Sequence, residues 1–378
     1  MGPPRRTLVF IINSLAGGGA ERVLINLIGH LEDELADYDV HLVLLDDEPE
    51  QQTAPAWVTK HVLDANWSMV RSVRLLTSLL RRLAPDLTVS FLNRSNCANI
   101  IAARMIGFPC LISERVHTSS HFPKTLSGAV NRLVVRLTYP FATGTLAVSD
   151  GIRQDLAGNF GVPFERIRVI HNPIDIDALG LRAGEAPDID LPPKFILGVG
   201  RLVPNKNFPM LIEAYANSGL DYPVVILGEG PERDALEAQI ADLGLQDRVR
   251  LPGFVKNPYP IMKRAHFLVS ASNAEGFPNS LIEAMTLGCP VVATDCESGP
   301  REILDAGADR QDGAVQAPYG ILTPTNNAAA LTEAVRLMDD ADIRARYAEA
   351  GRRRAKDYSV ESSVQAYLDA IRETLPGD

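Results

Sequence analysis

The chain has 378 residues, 46% of them hydrophobic, and a formal net charge of −10: enough apolar content for two cores, and too acidic overall for a nonspecific nucleic-acid binder, which neutralises phosphates with a basic surface. The charge is uneven, with 18 basic against 19 acidic side chains in residues 1–185 and 19 against 28 in residues 186–378. Cys97, Cys110, Cys289 and Cys296 contain no CxxC pair, which argues against a disulfide framework or zinc site and fits a reducing cytosol, and no run approaches the roughly 18 apolar residues of a membrane span.

In chain order, "MGPPRRTLVFIINSLAGGGA" imitates a secretory signal, but its apolar run is only LVFII and reads better as a first strand feeding a glycine loop. Short β-rich runs follow, "VHLVLL", "LTVSFL", "CLIS", "TLAVS" and "IRVIHNP", then "KFILGVG", "PVVILG", "VRLPGF", "HFLVSAS" and "PVVATD". Amphipathic segments at 20–35, 67–84, 207–218 and 231–244 lie between them. Strand alternating with helix predicts parallel sheets covered on both faces. The alternation breaks once, at the Pro-, Gly- and Asp-rich stretch 180–193, so two doubly wound α/β domains are expected, followed by a final amphipathic helix in "YSVESSVQAYLDAIRETL".

In such sheets ligands bind beyond the C-terminal strand ends. After the first strand, Gly17, Gly18 and Gly19 allow close backbone approach to a ligand at a helix start. Gly17 and Gly19 also begin a dinucleotide fingerprint with Asp46 after the next strand, but Arg22 occupies the place of the third glycine. In the second half, Arg201 and Lys206 follow "GVG" and suit a diphosphate; the same pair also reads as two solvated cations. Gly228 and Gly230 flank Glu229 in "LGEGPE", a tight strand-to-helix turn. In "NAEGFPNSLIEAM", Ser280 and Glu283 fit a capping box, while loop 275–280 with its helix dipole forms an anion cradle with a carboxylate on each side. An ionised carboxylate only accepts, so it suits paired hydroxyl donors such as those of ribose and sugar. Glycines, two cations and two carboxylates together describe a nucleotide-sugar pocket.

These residues resemble the retaining glycosyltransferases of family 4. Glu275 and Glu283 form the E-x7-E motif, and "SLAGGGAERV", "VIHNPID", "GRLVPNKN", "LGEGPE" and "LPGFVKNPY" follow the family's order and spacing. The resemblance implies the GT-B fold: an acceptor-binding Rossmann-like domain at 1–180, a nucleotide-sugar-binding one at 190–357, and a C-terminal helix, 358–378, crossing back to the first. It implies that Arg201 and Lys206 hold the donor diphosphate, that Phe254, Val255 and Lys256 contact the base through their backbone, that Glu283 binds the ribose, and that Glu275 contacts the transferred sugar. Gly276, Phe277, Pro278, Asn279 and Ser280 complete the donor contacts, together with Glu229, Gly18 and Gly19. His117, in "ISERVHTSS", falls near the position of a family histidine and also reads as a loop residue with no chemical part; Arg94 and Arg115 join it as acceptor-side candidates.

The implied reaction is front-face transfer with retention, from a donor expected to be UDP-linked to a lipid-linked or oligosaccharide acceptor of bacterial surface-glycan assembly. Asp175-Ile-Asp177 and Asp188-Ile-Asp190 spell the D-x-D metal motif of the other large glycosyltransferase fold, but they lie at the linker, so no cofactor and no essential metal is expected. A 2-epimerase of the same architecture and a non-enzymatic nucleotide-sugar binder are the alternatives. Residues 65–136 carry ten basic side chains (Arg71, Arg74, Arg81, Arg82, Arg94, Arg104, Arg115, Lys124, Arg132 and Arg136) against Asp86 and Glu114. That excess predicts a peripheral protein docked on the anionic cytoplasmic face of the inner membrane. For 67–84 alone, packing of its apolar face on a sheet beneath solvated arginines explains the pattern equally well.

Overall fold

The computed structural model describes residues 5–122 and 125–375, so Lys124 lies outside the described residues. The chain forms two compact units: one runs to Pro173 and resumes at Val360, and the other comprises Ile174–Ser359. The division falls a few residues before the expected linker. Asn257 Nδ2 donates to the Arg182 carbonyl and to Glu185, and the Arg182 guanidinium lies 4.6 Å from the Tyr259 ring, so the helix Ile176–Arg182 is tied into the second unit.

The first unit is a seven-stranded parallel sheet of β1 (Arg6–Ile12), β2 (Tyr38–Leu44), β3 (Thr59–Val62), β4 (Leu87–Phe91), β5 (Cys110–Glu114), β6 (Gly144–Ala147) and β7 (Ile167–Val169), in the order β3-β2-β1-β4-β5-β6-β7. LVFII fills β1, and all five of its side chains are buried. Alternation along the strand sends Leu8, Phe10 and Ile12 into one core layer and Val9 and Ile11 into the other, as a sheet covered on both faces requires. The helix Val360–Thr374 completes the first layer through Val360, Val364, Tyr367, Leu368 and Ile371, so the terminal helix does return to this unit. The apolar face of the helix Met69–Leu83 packs on the sheet through Leu76, Leu79 and Leu80, and Arg71, Arg74, Arg81 and Arg82 lie exposed on its outer side. Packing therefore explains that helix's pattern.

The second unit repeats the plan with β8 (Ile196–Val199), β9 (Val224–Leu227), β10 (Val249–Gly253), β11 (Phe267–Ser270), β12 (Val291–Thr294), β13 (Val315–Ala317) and β14 (Gly320–Thr323) in the order β10-β9-β8-β11-β12-β14-β13; only β13 runs antiparallel. Strand order reverses between β1 and β4 in the first sheet and between β8 and β11 in the second. Each reversal opens a crevice beyond the C-terminal strand ends. All four cysteines are buried free thiols. No helix among the described residues is long and apolar enough to cross a membrane.

Candidate functional site

The reversal in the second unit puts the loop after β8, with Arg201 and Lys206, beside the loop after β11, with Glu275. The two loops are hydrogen-bonded together: Asn205 Nδ2 donates to the Ala274 carbonyl at 2.7 Å, the Asn273 N–H to the Asn205 carbonyl at 2.8 Å, and Asn207 Nδ2 to Asn273 Oδ1 at 3.1 Å. Asn207 adopts a left-handed φ of 48°, which asparagine tolerates. The pattern "PNKN" thus fastens one strand-end loop to the next. Lys206, at the end of the turn Pro204–Lys206, reaches Glu275 with Nζ 2.6 Å from Oε1. Arg201 is exposed; its carbonyl accepts from the Val203 N–H, and its guanidinium has no ion-pair or hydrogen-bond partner among the described residues.

The loop after β9 crosses the loop after β8 backbone to backbone. The Gly200 N–H donates to the Leu227 carbonyl and the Leu202 N–H to the Glu229 carbonyl. A Cβ added at Gly228 would stand 1.9 Å from the Gly200 carbonyl oxygen, and one at Gly230 would stand 2.3 Å from that of Leu202. The two glycines exist for this close approach. Glu229 between them points its carboxylate at Arg233, 2.7 Å away, and that guanidinium lowers its pKa.

Beyond Glu275, Ser298 Oγ donates to the Glu275 carbonyl at 2.6 Å, and Gly299, at φ 92°, lies so close that a Cβ would meet the Gly276 carbonyl oxygen and Pro278 Cδ at 2.8 Å. Ser298 and Gly299 hold the anion-cradle loop in place, a role not anticipated from sequence because both belong to a strand-end loop more than twenty residues away. Phe277 is buried against Tyr358, ring centroids 5.2 Å apart. The helix Asn279–Thr286 takes Pro278 as its N-cap, without a side-chain cap, and Ser280 is already inside the helix. The capping box of Ser280 and Glu283 therefore does not form: proline offers no side-chain acceptor, and the helix begins two residues too early for the motif. Glu283 is 5% exposed, with the Tyr259 hydroxyl 3.4 Å from Oε1. After β10, Phe254 is 67% exposed and Val255 buried, while the Lys256 carbonyl accepts from Arg182.

In the first unit, Gly18 caps the helix Gly19–His30 with its extended backbone, and Gly17 adopts φ 103° against Gln51. Asp46 is 2% exposed and paired with Arg94, so it is not placed to bind a cofactor ribose, and the dinucleotide reading loses its carboxylate. Arg94 also donates to Ser72 Oγ. Arg115 is 8% exposed and donates to Asn172 Oδ1 and to the Tyr367 hydroxyl, and burial lowers its pKa. Both arginines anticipated on the acceptor side thus hold the scaffold together. His117 caps the short helix Thr118–His121, with Nδ1 2.8 Å from Ser120 Oγ and Nε2 3.9 Å from Asp155.

Glu114, the neighbour of Arg115, is fully buried and accepts from the Tyr139 hydroxyl at 2.6 Å, from Asn93 Nδ2 at 2.8 Å and from the backbone N–H groups of Arg115 and Val116. Burial pushes its carboxyl up to about 7. At the linker, Asp175 of the first D-x-D caps the helix Ile176–Arg182 by accepting from the Ala178 N–H.

Comparison with known proteins extends the geometry. Residues 17–178 match the family model "Glycosyltransferase Family 4" and residues 184–354 match "Glycosyl transferases group 1". The chain is 34% identical, across 97% of its own length and 99% of the relative's, to the Campylobacter jejuni N-acetylgalactosamine-N,N'-diacetylbacillosaminyl-diphospho-undecaprenol 4-alpha-N-acetylgalactosaminyltransferase. It is 25% identical, over 96% and 98%, to a second Campylobacter jejuni enzyme, the GalNAc-alpha-(1->4)-GalNAc-alpha-(1->3)-diNAcBac-PP-undecaprenol alpha-1,4-N-acetyl-D-galactosaminyltransferase. Among solved structures, Anabaena HepE in complex with UDP superposes with a TM-score of 0.75 at 21% identity, covering 97% of this chain and 100% of that one. Sucrose-phosphate synthase from Thermosynechococcus elongatus gives 0.79 at 16%, covering 98% and 99%. Likeness of that kind establishes the two-unit GT-B fold.

Proposed function

This chain belongs to glycosyltransferase family 4, and from that premise we propose that it moves an N-acetylhexosamine, with retention, from UDP to a glycan carried on a polyprenyl diphosphate at the cytoplasmic face of a membrane. The observation that carries the reading is the pairing of Lys206 with Glu275 on a loop whose backbone leads into a helix N-terminus. Cation, carboxylate and anion cradle are the three things a sugar diphosphate needs. On donor binding, Lys206 turns from Glu275 to the diphosphate, joined by Arg201, and the released carboxylate accepts hydrogen bonds from the sugar's hydroxyls. Glu283 takes the ribose hydroxyls.

Transfer then breaks the bond from the anomeric carbon to the diphosphate oxygen and forms a bond from that carbon to the acceptor oxygen on the same face, while the acceptor's proton passes to the departing diphosphate. Charge grows on the diphosphate, where two cations and the loop N–H groups stabilise it, and no step calls on a metal. Family membership disfavours the epimerase and the binding-only alternatives. UDP-N-acetylhexosamines at about a hundred times their Kd should raise the melting temperature of the second unit by about 5–10 °C, and GDP- and ADP-sugars should not. With a polyprenyl-diphosphate glycan present, a new α-glycoside should appear in the products. An inverted glycoside, an epimerised donor or a response to every base alike would each refute part of the assignment.

Membrane docking is the finer part of the proposal. The helix Leu126–Thr138 leaves Leu126 84%, Val130 51%, Leu133 53% and Leu137 62% exposed in one stripe, continued by Phe141 with Arg104 against its ring. Arg136 is exposed beside it. Apolar side chains flanked by arginines are what an anionic leaflet recognises, and each basic residue near it adds about 1 kcal/mol. Vesicles containing anionic lipid should co-sediment the protein at low salt and release it at high salt. Changing Leu126, Val130, Leu133 and Leu137 to Ser should abolish binding, and changing Arg71, Arg74, Arg81 and Arg82 to Gln should weaken it. Equal binding to neutral vesicles, or none to anionic ones, would point to a soluble acceptor.

A further inference from the structure

In the first unit, the loops after β2, β3 and β4 leave the same edge of the parallel sheet and converge on one aromatic side chain. Trp67 is 59% exposed although it is among the largest apolar side chains in the protein. It is held there by several contacts. Its backbone N–H donates to Asp46 Oδ1 at 2.8 Å, and its indole N–H donates to Glu48 Oε1 at 2.8 Å. The Arg94 guanidinium, itself fixed by Asp46, lies 5.0 Å from the ring centroid. The segment follows an uncommon backbone path: Asp64, Asn66 and Trp67 have φ values of 48°, 50° and 56°. Asparagine and aspartate tolerate that region, but a bulky tryptophan there is a strained outlier, and such strain collects at ligand-binding sites. With Arg94 against one face and the ring edge tied to Glu48, the exposure belongs to the opposite face.

We propose that Trp67 is the platform on which an acceptor sugar stacks, an inference that rests on the transfer to a glycan proposed above. A pyranose ring presents a face of C–H groups whose positive edge suits the negative face of an indole. Its hydroxyls need acceptors around that face: Glu48 is bonded to the indole, Asp47 adjoins it in the chain, and Asp64 precedes Trp67 by three residues on the same loop. An ionised carboxylate takes paired hydroxyl donors well and an anionic headgroup badly. Arg71 is the nearest cation along the chain, and its guanidinium is already engaged by the Asp64 carbonyl. Among the described residues, this combination of exposed ring and carboxylates separates Trp67 from the arginine-flanked stripe of Leu126–Thr138, and a sugar, not a leaflet, is its partner. Trp67 thereby sets acceptor specificity without touching the donor.

The test compares Trp67→Ala and Trp67→Phe with the wild type on an N-acetylgalactosamine-terminated disaccharide carried by a short polyprenyl diphosphate. Trp67→Ala should raise the acceptor KM about tenfold or more, with kcat and donor KM within about twofold of wild type, and Trp67→Phe should recover most of the loss. Melting temperatures check that both variants fold, and vesicle binding should not change. An unchanged acceptor KM in Trp67→Ala overturns the assignment, as does a loss of vesicle binding with acceptor KM intact. If the wild type glycosylates nothing, the proposed function has failed, and fluorescence in a Trp57→Phe background decides the platform by itself. Quenching of Trp67 by the free disaccharide supports stacking; an unresponsive Trp67 rejects it.

Discussion

Arg201→Ala and Lys206→Ala should each depress kcat/KM by about 10- to 150-fold, the equivalent of one charge-assisted hydrogen bond of about 1.5–3 kcal/mol to the diphosphate. Their effects on stability should differ. The Arg201 side chain is exposed without a partner among the described residues, so its removal should leave the melting temperature in place. Lys206 is bonded to Glu275, whose side chain is only 12% exposed, so Lys206→Ala strands a carboxylate at a cost of about 1–3 kcal/mol. Adding Glu275→Ala to Lys206→Ala should recover part of that stability without recovering activity, because the two residues share one interaction and their substitutions are not additive. The measurements are steady-state kinetics, UDP affinity and thermal denaturation of the four proteins. Wild-type kinetics in both single variants would remove the diphosphate from this loop.

The strands could be read in advance wherever β-branched and aromatic residues ran together between turn signals. LVFII is such a run, and β1 occupies it. Thr59–Val62 carries no strand signal in the sequence, because it is an edge of four residues, Thr-Lys-His-Val, with no buried side chain among them and no apolar period. The antiparallel pair β13 and β14 is three and four residues long, and its partner choice is set by position next to β12, which no local pattern encodes. The terminal helix was visible as an amphipathic period. Its destination in the first unit was available only through the family resemblance.

Site residues divide in the same way. Lys206 and Glu275 were each chosen for the chemistry of their own loop, but their contact spans 69 positions and is a tertiary fact. In sequence, Arg94 and Arg115 present themselves as available cations because arginine is usually exposed. The partner of Arg94 lies 48 residues upstream, in Asp46, and a partner of Arg115 lies 252 residues downstream, in Tyr367. No window of sequence joins them. Glu114 was counted only as one acid in a basic stretch, yet it sits at the centre of a buried network whose other members, Asn93 and Tyr139, carry no motif. The S-x-x-E pattern at 280–283 is a false signal for a local reason: the helix begins at Asn279, with Pro278 as its N-cap, before Ser280 can cap it.

Gly228→Ala should destabilise the second unit by about 2–6 kcal/mol. Overpacking costs about 1–3 kcal/mol and forcing an alanine into an unfavourable φ costs about the same again. The physical content lies in what the new methyl group meets. At Gly228, with φ 143°, it would stand 1.9 Å from the Gly200 carbonyl oxygen and 2.8 Å from the Gly200 carbonyl carbon. Neither is a side chain that could swing away, so the strand-end loop carrying Arg201 has to move. Gly244→Ala is the comparison: its φ of 64° lies in the left-handed region that alanine enters at modest cost, and nothing lies within 4 Å of the added Cβ. That variant should lose only about 1 kcal/mol, the ordinary cost of the left-handed region. Urea denaturation separates the two, and a UDP-binding measurement on the folded fraction of Gly228→Ala tests the consequence for function, since displacement of Gly200 carries Arg201 with it. Equal stability losses in the two variants would mean that neither the closer contact nor the less favourable φ at Gly228 adds to the cost. Native-like stability of Gly228→Ala would mean that the crossing of these two loops is not the close contact on which the donor site is built.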